Sequence, residues 1–204
     1  SPAQSSIVSA TMTKRRYKRG DLIVEQGATS GALFMILSGK ARVLSHDQRG
    51  REVIIATLDT GDCIGEMSLI DGEPHSATVR TETPTDVLVL GHEAFLRCLR
   101  ENIAMADAVM RGLVRRLRRA DKQILSLALM DVYGRVMHVL QDLSQQDADG
   151  NRILRTKVSR QDVAKMVGAS REMVSRVMKH FEASGVLIKQ EDGSFLLKGG
   201  QSLG

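Results

Sequence analysis

From Lys14 to about Leu90 short apolar runs alternate with glycine-bearing turns. The runs include Leu33-Phe34-Met35-Ile36-Leu37, Ala41-Arg42-Val43-Leu44, Val53-Ile54-Ile55-Ala56 and Val87-Leu88-Val89-Leu90, punctuated at Gly20-Asp21, Gly39, Gly50 and Gly61-Asp62. Many strand-length runs at regular spacing predict a small barrel or jelly roll. After Gly91 the period becomes helical, first over His92–Leu99 and then over a long segment from about Ile103 to Leu127. There Ala106, Met110, Leu113, Leu117, Ala120, Ile124 and Leu127 recur at alternating spacings of four and three, an a/d heptad seam. Arg115, Arg116, Arg118, Arg119, Asp121 and Lys122 flank it, which predicts a narrow seam and a parallel two-stranded coiled coil. On this register Arg116 is a g position and Asp121 an e position, so an ion pair between them across a homodimer is expected. A further helix over Asp131–Leu143 and a polar loop from Gln145 to Asn151 follow.

Residues Ser159 to Ser184 predict two helices joined by a tight turn. Ser159 is a cap with Asp162 three residues on, and Val163, Ala164 and Val167 form the apolar face. Gly168 supplies a permissive turn backbone, and Ser170 caps the second helix. Met173, Val174, Val177, Met178 and Phe181 point that helix inward, leaving Arg171, Glu172, Ser175, Arg176 and Lys179 outward. A helix-turn-helix presents such a face to the major groove of duplex DNA. Arg171 and Arg176 suit guanine and Glu172 suits the cytosine amino group, with Ser175 beside them as base-reading residues. A carboxylate among cations opposes purely electrostatic binding and so points to base reading. Arg160, Ser170 and Lys179 are assigned to phosphates. Leu187-Ile188-Lys189 and Ser194-Phe195-Leu196-Leu197, around Glu191-Asp192-Gly193, predict a β-hairpin wing.

Composition narrows the function class. Net charge is +5, compatible with a polyanionic partner. Aromatics are only 3% with no Trp, against single-strand modules that stack bases on rings. Two cysteines, Cys63 and Cys98, have no ligand spacing, so no metal and no iron–sulfur cluster are expected. The chain opens on Ser without a secretory signal, and no apolar run reaches the roughly 18 residues of a membrane span; a cytoplasmic protein without a membrane partner is expected. His46, His75, His92, His138 and His180 are scattered without acid partners at short spacing, so no enzyme is expected.

A second segment, Gly61 to Thr78, sets glycines, Glu66 and a Ser76-Ala77 pair in a short insert between strands. Such a turn either holds a phosphate on its N–H groups, with Glu66 accepting from a ribose hydroxyl, or is simply a surface turn.

With these residues in place the chain resembles the cAMP receptor protein/FNR (CRP/FNR) family of bacterial regulators from about Arg19 to Leu197. The resemblance rests on Val158-Ser159-Arg160-Gln161-Asp162-Val163-Ala164, on Val167 through Arg176, and on Gly65-Glu66-Met67 with Ser76-Ala77. It implies an α+β fold: a cyclic-nucleotide-binding β-roll (1–100), a dimerisation helix (101–130) and a winged helix-turn-helix (131–204). It further implies a palindromic operator with TGTGA-like half-sites about one helical turn apart, and RNA polymerase as a partner. Arg171, Glu172 and Arg176 fall on the family's base-reading positions. The implied effector residues are Gly65, Glu66, Met67, His75, Ser76, Ala77, Arg116, Ala120 and Asp121.

Three departures stand out. His75 occupies the place of the arginine that clamps the cyclic phosphate, and Ala120-Asp121 replace a Thr-Ser pair that reads adenine. The cysteine cluster of the oxygen-responsive branch is absent, and Cys63 and His75 lack the haem-binding pattern, so haem is not expected. The effector is left open between cAMP and cyclic di-GMP, or none at all with a structural β-roll. The expected mechanism is effector-gated: a ligand favours one arrangement about Asp131 and one spacing of the two recognition helices.

Overall fold

The computed structural model describes residues 12–47, 49–147, 151–154 and 158–198, and the chain divides into two compact units, one ending at Arg119 and one beginning at Ala120. The first unit contains β1 (Met12–Tyr17), β2 (Leu22–Val24), β3 (Ala32–Ser38), β4 (Ala41–His46), β5 (Glu52–Leu58), β6 (Cys63–Ile64), β7 (Thr78–Thr81) and β8 (Thr85–Gly91). They form two antiparallel four-stranded sheets, ordered β1-β8-β3-β6 and β2-β7-β4-β5. This is the predicted jelly-roll arrangement of two facing sheets.

Strand β3 shows why its apolar run does not alternate. Phe34 and Ile36 face the core between the sheets with Val43, Leu58, Val79 and Val87. Leu33 faces the other way and packs with Leu69, Leu90, Phe95 and Val109. A strand covered on both faces reads as a continuous hydrophobic stretch.

The segment after β6, expected as an insert between strands, contains a helix, α1 (Glu66–Asp71). Leu69 anchors it in the cluster beneath β3. Helices α2 (His92–Glu101) and α3 (Ile103–Leu129) follow. Within the first unit α3 buries Val109 and half-buries Leu113 against that cluster. Met110, Leu117, Ile124 and Leu127 of the expected seam are exposed, as is Ala120, and Val114 widens the apolar stripe.

The second unit contains α4 (Val132–Leu143), β9 (Gln145–Gln146), β10 (Arg152–Leu154), α5 (Arg160–Val167), α6 (Arg171–Ala183), β11 (Leu187–Lys189) and β12 (Phe195–Leu197). Asp131 caps α4 by accepting from the Gly134 N–H at 2.8 Å. Gln145 and Gln146, expected as loop, pair with Ile153 and Arg152. The expected hairpin wing is thereby part of a four-stranded sheet, β11-β12-β10-β9. A polar pair takes strand form here because pairing satisfies its backbone groups.

Candidate DNA-reading helix and effector pocket

Helix α5 starts where Ser159 Oγ accepts from the Asp162 N–H at 3.0 Å. It ends at Gly168, whose φ of 65° lies in the left-handed region and lets the chain reverse. Two residues later Ser170 Oγ accepts from the Met173 N–H at 3.2 Å and opens α6. Val174, Val177, Met178 and Phe181 of α6 are buried with Val136, Leu140, Val163 and Val167. Packing therefore fixes which side of α6 is outward. Arg171, Glu172, Arg176 and Lys179 are exposed there and Ser175 is half-buried. The structure brings every base-reading candidate onto one solvent-facing helix surface.

Two of the phosphate candidates have a second task. The Ser170 hydroxyl oxygen serves the cap, leaving its proton to donate. Arg160 Nη2 lies 3.8 Å from Glu182 Oε1, both about half exposed, a contact a phosphate can displace since exposed pairs contribute about 0–1 kcal/mol. Tyr133, which no sequence signal singled out, packs edge-on against His180 with ring centroids 5.5 Å apart, and against Phe181.

In the first unit most of the effector candidates gather around one small, open pocket. Gly65, Glu66, Met67, His75, Ser76, Ala77 and Arg116 all line it. Gly65 has a φ of 88°, and a Cβ there would stand 2.9 Å from the Ala32 carbonyl oxygen. Glycine is thus required to turn the chain from β6 into α1.

Glu66 is 3% exposed. Its Oε1 accepts from Arg116 Nη1, while its Oε2 is buried without a hydrogen-bond partner. The Arg116 guanidinium is engaged by Glu66 of its own chain, a partner that its heptad position does not point to. Heptad position alone does not see a carboxylate fifty residues away.

His75 is buried, with Nε2 2.8 Å from Ser30 Oγ and Nδ1 3.1 Å from Ser68 Oγ. Burial lowers the imidazole pKa below its ordinary value, with the Glu66 carboxylate opposing. A neutral ring with both nitrogens occupied is not the fixed cation an arginine would supply. Ser30 was not visible as part of this site in the sequence, lying in a different turn. Burial, then Glu66 and Asp62, raise the Cys63 thiol to about 11, so it is held protonated. Ala120 and Asp121 belong to the second unit and do not line this cavity.

Among the described residues no group of three His, Cys, Asp or Glu side chains is placed to hold a metal ion. No helix there is long and apolar enough to cross a membrane.

Comparison with known proteins meets this geometry at both sites. Residues 14–102 match the cyclic nucleotide-binding domain and residues 134–198 match the Crp-like helix-turn-helix domain. The chain is 35% identical over 183 residues to the cAMP-activated global transcriptional regulator Vfr of Pseudomonas aeruginosa, covering 85% of this chain and 84% of that one. It is 32% identical to the cAMP-activated global transcriptional regulator CRP of Salmonella typhimurium, covering 84% and 83%. The structure of the c-di-GMP-responsive global regulator CLP of Xanthomonas campestris superposes with a TM-score of 0.81 at 26% identity, over 98% of this chain and 100% of that one. With a β-roll at one end, a helix-turn-helix at the other and relatives that run the length of both, this chain belongs to the CRP/FNR family of DNA-binding transcription regulators.

Proposed function

We propose that the chain acts as a cytoplasmic homodimer, gated by a cyclic nucleotide, that reads a palindromic operator with TGTGA-like half-sites. The observation that carries the DNA part is the outward face of α6. Arg171, Glu172 and Arg176 stand on a helix whose opposite side is locked in a core, so their presentation is fixed before DNA arrives. Arg171 and Arg176 take guanine edges, Glu172 takes a cytosine amino group, and Ser175 lies between them. Arg160, Ser170 and Lys179 hold phosphates. Met110, Leu117, Ile124 and Leu127 supply the seam that pairs two copies. RNA polymerase is the partner at the promoter by analogy with the family.

The effector part rests on Glu66. A buried carboxylate oxygen without a donor costs roughly 1–3 kcal/mol, and a ligand hydroxyl removes that cost. A ribose hydroxyl at Oε2, with Ser76 toward the phosphate, fits a cyclic nucleotide. Occupancy changes DNA affinity only through unequal binding to two states of the dimer.

Fluorescence anisotropy on a duplex carrying the half-sites, with each base pair substituted in turn and with cAMP or cyclic di-GMP added, tests both parts. Glu172→Ala should change the ranking of operators more than affinity for random DNA. A uniform change across all sequences contradicts base reading.

A second reading, an effector-independent dimer with a structural β-roll, is favoured by two observations. His75 has both nitrogens taken by hydroxyls, and Arg116 is closed onto Glu66. Calorimetric titration without heat from cAMP, cGMP or cyclic di-GMP selects this reading.

A further inference from the structure

A second cleft of the first unit, with about 490 Å³ of open space, shares only Glu66 and Arg116 with the cavity described above. The ion pair between those two residues is the common wall. The rest of the cleft lies between the turn after β5, at Gly61 and Asp62, and the Gly112, Arg115 and Arg119 side of α3. Arg115 and Arg119 are one helical turn apart and exposed, and neither forms an ion pair among the described residues. Asp62 is already engaged, accepting from the Asp59 N–H at 2.9 Å. Arg115 and Arg119 stand at heptad positions outside the expected seam, while Leu113 of that seam lines the floor of the cleft.

We propose that this cleft is a phosphate site held by Arg115 and Arg119, with Arg116 as the element that couples it to the neighbouring cavity. Guanidinium groups bind phosphate through paired charge-assisted hydrogen bonds. A phosphate between Arg115 and Arg119 competes with Glu66 for Arg116. When Arg116 turns to the phosphate, both Glu66 oxygens become available to a hydroxyl in the adjoining cavity. The phosphate is either the second phosphate of a cyclic dinucleotide that spans both clefts, or a separate phosphate compound beside a mononucleotide. The coupling rests on the nucleotide reading of the adjoining cavity; the phosphate site itself does not.

Isothermal titration of the full chain at fixed ionic strength tests this with three probes: pyrophosphate, cAMP and cyclic di-GMP. The variant is Arg115→Gln with Arg119→Gln, with a circular dichroism melt to show that its fold is kept. If the phosphate is separate, pyrophosphate binds the wild type, binds the variant at least about tenfold more weakly, and tightens cAMP binding. If one ligand spans both clefts, cyclic di-GMP shows that loss while cAMP binds both proteins equally. The proposal is overturned if pyrophosphate and cyclic di-GMP each bind the variant as they bind the wild type, or bind neither. Retained cAMP binding in that case leaves the nucleotide reading standing. Pyrophosphate binding lost in the variant, with neither nucleotide binding, keeps the phosphate site and removes the nucleotide reading and the coupling.

Discussion

Arg176 and Val177 are neighbours in the chain, but the first is exposed and the second buried on α6, so substituting each by alanine separates DNA reading from folding. Val177 is 0% exposed, in the cluster with Val136, Leu140, Val163 and Phe181. Val177→Ala removes two buried methyl groups, about 1.5 kcal/mol of transfer free energy. The cavity left behind raises the loss to about 2–3 kcal/mol. For a unit the size of the one from Ala120 onward, that lowers the melting midpoint by roughly 10–20 °C. Arg176 is exposed, so Arg176→Ala should stay within about 0.5 kcal/mol in stability. Its cost falls on operator binding, about 1–3 kcal/mol or roughly 5–150-fold in Kd, with relaxed base choice at one position. Circular dichroism melts measure the first effect. Anisotropy titrations of operator and scrambled duplexes, at one salt concentration well below the melting midpoint of either variant, measure the second. If Arg176→Ala melts like Val177→Ala, or weakens both duplexes equally, α6 does not present Arg176 to bases and the argument fails.

Ser170→Ala should cost about 1 kcal/mol, because the Met173 N–H loses its acceptor; Ser170→Asp restores the cap, and a chemical denaturation series measures both. Leu117→Glu places a charge in the exposed seam and should turn the dimer into monomer by sedimentation equilibrium, with loss of tight palindrome binding. His75 has its native pKa depressed below 6.5, so its contribution to stability is present above that value and is lost as pH falls through the lowered native value. Denaturation midpoints between about pH 8 and pH 5 should therefore fall more steeply in the wild type than in His75→Gln. Parallel slopes would show that His75 does not ionise differently on folding.

The parts of this molecule that could be read in the sequence are those whose determinants are local. The cap at Ser159, the glycine at 168 and the cap at Ser170 lie within a dozen residues, and each acts on the backbone beside it. Helix periodicity then fixed which side of α6 would be buried. The strands of the β-roll announced themselves the same way, through apolar runs between glycine turns. Short strands such as β9 were missed because Gln145 and Gln146 owe their form to pairing with β10, not to propensity.

The pocket resisted the same reading because its chemistry is assembled from distant segments. Position along the heptad says nothing of the contact between Arg116 and Glu66, which only the fold brings together. The turn at Ser30 and the start of α1 at Ser68 converge on His75 only after the sheets close. A substituted phosphate clamp looks like simple loss when the sequence is read position by position. In three dimensions the same substitution comes with two hydroxyl partners for the new ring, while Arg116 next to it is held by a carboxylate that keeps one oxygen unpaired. A cavity abandoned by its ligand gains nothing by keeping an unpartnered oxygen buried, since protonation, exposure or substitution would each relieve the cost. The buried, unpartnered Glu66 oxygen is the physical observation behind the proposed ligand. Glu66→Gln breaks the Arg116 ion pair and lowers stability on either reading, so the check is operator binding: if the pocket is only structural, cAMP and cyclic di-GMP should leave it unchanged in the wild type and the variant alike.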